Sequence, residues 1–298
     1  MKPWLVIAVF VSACGAPPPV GDGGQNNEPF DAGRPADAGV ALDAGVRDAG
    51  VTPRCTVTGD AVTCPATITN LTAGTASRDV YWQLPVTPPP SSGYPVVVLF
   101  QGSFFGPSTT WGTVSNDVAF GGYQQARLQA LLLERGFAVV APSAAIGLAW
   151  QTNSGVPWAL TTDSTFIEAL FDAMSRGDYG PLDANRWYAT GISSGGYMTS
   201  RMALSYPGRF RALAVHSGSW ATCAGPVCLV PSSLPSDHPP TLLLHGRKDL
   251  TVPLFTAEKY FDELKDDGFV TELEIEDDAS HEWLPVAPER VTAWFEAH

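Results

Sequence analysis

Three residues stand in an order that can do acyl transfer. Ser193 lies in Gly191-Ile192-Ser193-Ser194-Gly195, Asp249 lies in His245-Gly-Arg-Lys-Asp249-Leu-Thr-Val252-Pro253, and His281 follows later in the chain. A serine hydroxyl is a poor nucleophile at neutral pH. It needs a base to remove its proton, and the base needs an acid to hold its tautomer. The reaction also needs two N–H donors for the oxyanion. One is expected from Ser194, and the other from Ser103 in Gln101-Gly102-Ser103-Phe104-Phe105. Five histidines compete for the base. His216 and His245 end predicted strands, His238 sits in a Pro-rich loop and His298 is the last residue, which leaves His281. Asp237 and Asp278 are weaker rivals to Asp249, because neither lies just past a strand end in the right order. Phe104, Trp220 and Trp283 are candidates to line a substrate cleft, with core packing as the competing reading for each.

Such a constellation needs a rigid scaffold. Pro95 to Phe100 is a continuous apolar run, as a parallel strand buried on both faces requires. Strands are predicted over 80–84, 137–141, 186–190, 210–215, 241–244 and 270–275, with helices over 123–135, 164–176, 195–206, 256–267 and 288–297. This alternation predicts the α/β class, with a mostly parallel central sheet and helices on both faces. Ser193 falls between a strand and a helix, in a sharp turn flanked by glycines, where a strained nucleophile elbow belongs. The folded domain is expected over 54–298, beginning with a hairpin at 55–64.

Composition narrows the partners. The 298 residues carry a formal charge of -13, which repels nucleic acid and anionic lipid. Residues 1–14 read as an export signal: Lys2, an apolar run from Trp4 to Val11 too short to span a bilayer, then Ser12-Ala13-Cys14. The ending resembles a bacterial lipoprotein box, with Cys14 as the lipidated residue. An ordinary secretory signal is the alternative. Residues 15–53 repeat Asp-Ala-Gly and hold almost no large apolar side chain, so a solvated tether of roughly 35 Å is expected there. Four further cysteines in an exported chain favour two local disulfides, Cys55–Cys64 and Cys223–Cys228. Neither pair has the spacing of a zinc site, so no metal is expected.

The stretch Gly191-Ile-Ser-Ser-Gly-Gly-Tyr-Met-Thr-Ser-Arg-Met-Ala203, with Tyr206-Pro-Gly-Arg-Phe210 and Val215-His-Ser-Gly-Ser-Trp220, resembles the extracellular polyhydroxyalkanoate depolymerases of the α/β-hydrolase superfamily. The Ile-Ser-Ser-Gly elbow, Cys223-Ala-Gly-Pro-Val-Cys228 and His238-Pro-Pro-Thr-Leu242 resemble the medium-chain-length type. The similarity runs over 94–298 and is densest over 190–253. It implies the α/β-hydrolase fold, a polyester substrate, no cofactor, and Ser193, Asp249 and His281 as the triad. The lipoprotein box with its tether departs from the family pattern and implies attachment to a membrane through lipid on Cys14. In the oxyanion loop Gln101-Gly102 stands where many hydrolases of this fold have His-Gly, and because the backbone supplies the donor the glutamine does not argue against activity. Two other readings remain open: a feruloyl-, acetylxylan- or other small-ester carboxylesterase, and a surface lipoprotein that binds a ligand without catalysis.

Overall fold

A computed structural model describes residues 52–298. The signal segment, Cys14 and all but the last two residues of the expected tether lie outside that range.

The first strands are β1 (Thr56–Val57), β2 (Ala61–Cys64), β3 (Thr67–Ala73), β4 (Ala76–Gln83), β5 (Tyr94–Phe100) and β6 (Gly112–Ser115). Then come α1 (Gly122–Glu134), β7 (Ala138–Pro142), α2 (Thr162–Arg176), β8 (Leu182–Ile192), α3 (Ser194–Ser205) and β9 (Ala212–His216). The chain ends with β10 (Thr241–Gly246), α4 (Leu254–Asp266), β11 (Thr271–Glu276) and α5 (Ala287–Ala297). A small antiparallel sheet runs β1-β2-β6, and an eight-stranded sheet runs β11-β10-β9-β8-β5-β7-β4-β3. Six neighbours, from β7 through β11, are parallel. The β3–β4 hairpin closes one edge in antiparallel register.

The apolar run of β5 shows why the sheet takes two layers of helix. Side chains alternate across a strand. Val97 and Leu99 join a core with Leu128 and Leu132 of α1 and Val291 and Phe295 of α5. Val96, Val98 and Phe100 join another, with Phe166, Ile167 and Leu170 of α2 and Met198 and Met202 of α3. A third core packs Leu243 and Tyr197 against Tyr260 and Leu264 of α4. The helix ends follow local chemistry. Thr161 Oγ1 accepts from the Ser164 N–H at 3.1 Å to cap α2, and Gly177 ends that helix at φ 86°.

The topology already selects a place for chemistry. From β5 the chain moves to β7 on one side, then returns to β8 on the other. In open α/β sheets, sites form outside the carboxyl ends of strands where the order reverses in this way. The loops after β5 and β8, carrying Ser103 and Ser193, are those at the reversal.

Candidate active site

Ser193 sits between β8 and α3 with φ 57° and ψ -120°. A non-glycine residue with positive φ carries backbone strain, and such residues cluster at functional sites. The turn is enforced by close packing. A Cβ on Gly195 would lie 2.5 Å from the carbonyl oxygen of Gln101, so only glycine lets α3 seat against the end of β5. That contact sets the first turn of α3 beside the Gln101–Phe105 loop. The position a Cβ would take on Gly102 is 3.9 Å from Ser193 Cβ.

Both expected oxyanion donors fall here. Ser194 opens α3, where an N–H has no intrahelical acceptor. Ser103 occupies the tight turn closed by the Gly102–Phe105 bridge, and its N–H makes no hydrogen bond among the described residues. The segment after β7 fixes both. The Trp150 N–H donates to Ser194 Oγ at 2.8 Å, and its indole N–H donates to Gln101 O at 3.1 Å. The buried Gln101 side chain accepts from the Ala144 N–H at 2.9 Å and donates to Gly147 O at 3.3 Å. Gln101 therefore works as a brace under the loop.

Asp249 follows β10 and His281 follows β11. The His281 Nδ1–H donates to Asp249 Oδ2 at 2.7 Å. Asp249 Oδ1 accepts from the N–H groups of Thr251 at 2.9 Å and Val252 at 2.8 Å. Burial works to raise the Asp249 carboxyl, but the hydrogen bonds from His281 and Val252 outweigh it and hold the group below the usual carboxylate range. Asp249 is thus a buried anion aimed at one histidine nitrogen, leaving His281 Nε2 as the free basic atom. Two exposed ion pairs, Arg247–Asp277 and Lys248–Asp278, each 2.6 Å, tie the acid loop to the loop that precedes His281.

Two further histidines brace the site. His245 is buried, and its Nε2–H donates to Val252 O at 2.7 Å while lying 3.5 Å from Asp249 Oδ2. Burial lowers its pKa. His216 joins the nucleophile to the base loop. Its carbonyl accepts from the Ser193 N–H at 3.0 Å, and its Nε2 accepts from the Leu284 N–H at 3.0 Å. An accepting Nε2 requires a neutral ring with the proton on Nδ1. Complete burial, reinforced by His245 and His281, pushes the His216 pKa down to about 3.

Two expected cleft residues move into the core. Trp283, 2% exposed, packs on His216 with ring centroids 4.5 Å apart. Trp220, also 2% exposed, packs on Tyr260 at 5.3 Å and His238 at 6.2 Å. Both lie in loops, but the loops fold inward and the large rings gain more by burial than at a wet surface. Phe104 remains 73% exposed beside the Ser103 turn. Phe120, which sequence reasoning passed over, stands in an edge-to-face contact with His281 at 6.1 Å. A cavity of about 550 Å³ lined by Ala184, Asn185, Pro207, Arg209 and Arg211 lies at the start of β8, the opposite end of that strand from Ser193, so it is separate from this chemistry. Both expected disulfides, Cys55–Cys64 and Cys223–Cys228, are formed.

The parallel sheet, the strand–turn–helix at Ser193 and the loop order define an α/β-hydrolase. A dienelactone hydrolase described from Klebsiella pneumoniae matches at TM-score 0.55 and 20% identity, over 78% of this chain and 98% of its own. Esterase PE8 matches at TM-score 0.52 and 20% identity, over 70% and 96%. The acylaminoacyl peptidase of Pyrococcus horikoshii matches at TM-score 0.54 and 16% identity, over 78% of this chain but only 40% of the peptidase. No family model matches the sequence. A poly(3-hydroxyoctanoate) depolymerase of Pseudomonas fluorescens is 48% identical over 250 residues, covering 83% of this chain and 89% of the relative. The chain belongs to that depolymerase family, and it is an enzyme that hydrolyses ester bonds.

Proposed function

We propose that this enzyme depolymerises medium-chain-length polyhydroxyalkanoates, with Ser193 as nucleophile, His281 as base and Asp249 as the group that orients His281. The 2.7 Å bond from His281 Nδ1–H to a buried, ionised Asp249 carries the residue assignment, since it leaves Nε2 as an acceptor. The substrate class rests on the 48% identity to the poly(3-hydroxyoctanoate) depolymerase. His281 Nε2 takes the Ser193 proton as Oγ attacks the ester carbonyl. The N–H groups of Ser194 and Ser103 hold the oxyanion. The alcohol end leaves with the proton from His281. Water, activated by the same nitrogen, then releases the hydroxy acid and restores Ser193.

The test is hydroxy-acid release from an emulsion of poly(3-hydroxyoctanoate). Wild type should clear it, and Ser193→Ala should not. Clearing by the Ser193→Ala protein would overturn the residue assignment. Failure of the wild type to clear, with good turnover of small aryl esters, would make the enzyme a small-ester carboxylesterase.

Two disulfides fit an exported chain. The Val11-Ser12-Ala13-Cys14 pattern supports anchoring by lipid on Cys14, ahead of the Asp-Ala-Gly tether. Labelling cells with a fatty-acid analogue should mark the wild type and not Cys14→Ser. Equal labelling would remove the anchor.

A further inference from the structure

The Tyr206-Pro-Gly-Arg-Phe210 segment takes no part in the chemistry at Ser193, yet it builds one wall of the cavity at the start of β8. Ala184, Asn185 and Arg211 complete the lining. The volume of about 550 Å³ lies in the range of small-molecule sites. The walls are fixed. Asp183 Oδ1 accepts from the Asn185 N–H at 2.9 Å, and Oδ2 accepts from the Arg186 Nε–H at 2.7 Å, which holds the turn. The Arg211 N–H donates to Trp187 O at 2.8 Å. The Arg209 guanidinium lies over two aromatic rings, 5.0 Å from the centroid of Trp187 and 5.3 Å from that of Phe171. This seating on ring faces holds the charge in place without using its N–H donors.

Charge carries the argument. Eleven arginines lie among the described residues, and nine of them donate to an oxygen of the chain. Arg209 and Arg211 are the two that do not, and both line this cavity. Neither forms an ion pair among the described residues, although the chain carries 30 acids against 17 bases. The Arg209 N–H donates to Tyr206 O at 3.2 Å through the backbone alone, so its side chain does not cap the end of α3. Each guanidinium presents a fixed fork of donors that matches an oxyanion. The size of the charge then selects the anion. A carboxylate stands near the rim: Asp237 Oδ2 lies 3.9 Å from the position a Cβ would take on Gly208. The Asp183–Arg186 pair is neutral as a unit. Two guanidiniums against one carboxylate leave a single positive charge, which suits a monoanion better than a phosphate monoester.

We infer that this cavity is a binding site for the carboxylate of an organic acid, the class of molecule that ester hydrolysis releases. Cleaving an ester with water yields an alcohol and an acid, and the acid is ionised at neutral pH. The inference goes beyond the depolymerase reading and needs only the hydrolysis of esters. Ser193 stands past the other end of β8, so an acid held at Arg209 and Arg211 leaves the catalytic site open for the next ester.

Binding is measured by isothermal titration calorimetry on the full chain, with Ser193 blocked by a fluorophosphonate so that the catalytic site takes no part. The probes are 3-hydroxyoctanoate, its uncharged methyl ester and inorganic phosphate, at fixed ionic strength. The carboxylate should bind saturably with one site per chain, and the methyl ester at least about tenfold more weakly. Arg211→Gln should weaken the carboxylate about tenfold, the cost of one hydrogen bond to a charged group. Arg209→Lys, which keeps the charge but loses the fork, should weaken it too. Lys259→Gln, which removes the same charge from an exposed position on α4, should bind like wild type. Unblocked, all three variants should turn over a soluble aryl ester within twofold of wild type, which shows intact folding. Equal affinity of wild type and Arg211→Gln would overturn the inference. So would equal affinity for the acid and its methyl ester, or no saturable binding of the acid. Tighter binding of phosphate than of the carboxylate would overturn the ligand class. A protein that binds the acid at Arg211 but clears no polymer would fail the depolymerase reading alone, and one that clears polymer but binds no acid would fail this inference alone.

Discussion

Asp249→Asn tests the catalytic reasoning at one atom. In the native loop, Oδ1 accepts two backbone N–H groups and Oδ2 accepts the His281 Nδ1–H. An asparagine must choose which of these positions receives its NH2. Facing the NH2 toward Thr251 and Val252 would break two hydrogen bonds and oppose donors to donors, so the amide oxygen stays with the loop. The NH2 then faces His281 Nδ1. It turns that nitrogen into an acceptor and moves the ring proton to Nε2, where it blocks removal of the Ser193 proton. Loss of the correct tautomer in such a triad costs about 10⁴-fold in kcat, or about 5.5 kcal/mol. KM should change little, because Asp249 is buried beneath His281. The assay is steady-state hydrolysis of a soluble aryl ester near pH 8, with near-UV circular dichroism to confirm folding. A folded Asp249→Asn protein retaining more than a tenth of wild-type kcat would refute the assignment of Asp249.

Other expectations follow from the same geometry. Trp150→Phe removes the indole donor to Gln101 O and should lower kcat about tenfold at constant KM, with matching loss of affinity for a boronic-acid transition-state analogue; a change in KM alone would contradict a role in holding the oxyanion loop. His216 and His238 are held at about 3 and about 4, mainly by burial, below the ordinary 6.5 of an unfolded chain. The unfolded state therefore binds more protons as pH falls, so stability is full above pH 6.5 and drops below it by about 1.4 kcal/mol per unit for each histidine. Urea melts should lose about 3 kcal/mol between pH 6.5 and pH 5, and equal midpoints would show that neither ring resists protonation. Asp163→Ala should cost about 3–5 kcal/mol in urea melts, because it strands the buried Arg78, 2.7 Å from Asp163. It should also lower activity, since Asp163 Oδ2 holds the Gln151 N–H next to Trp150 at 2.6 Å; an unchanged melt would mean that Arg78 finds water.

The chemistry-bearing skeleton was legible because its signals are local. The apolar runs that became β5, β7, β9 and β10 are unbroken, and the glycines around Ser193 sit between a strand and a helix. β3 and β6 were not anticipated. β3 is an edge strand, Thr67 to Ala73, with mostly exposed or half-exposed side chains, so it shows no run of core residues. β6 spans four residues and depends on β2 for its partner. The aromatic lining was misread in both directions. The inward folds of the loops carrying Trp220 and Trp283 are decided by distant partners, Tyr260 and His216. Phe120 reaches His281 because the Trp283 N–H bonds Phe120 O at 3.0 Å, a contact across more than 160 residues. The brace formed by Gln101 and Trp150, 49 residues apart, is equally invisible to spacing.

The two disulfides join cysteines only 9 and 5 residues apart. The four cysteines of the described residues allow three connectivities. Here the native one is also that of the shortest chain segments, whose ends meet far more often than those of the alternatives, which would span more than 150 residues. Oxidation on export therefore need not await assembly of the parallel sheet, the slow step for non-local topologies. Each bond can form correctly on an unfolded chain, so refolding from the reduced, denatured state should reach the native pairing without help from a disulfide isomerase.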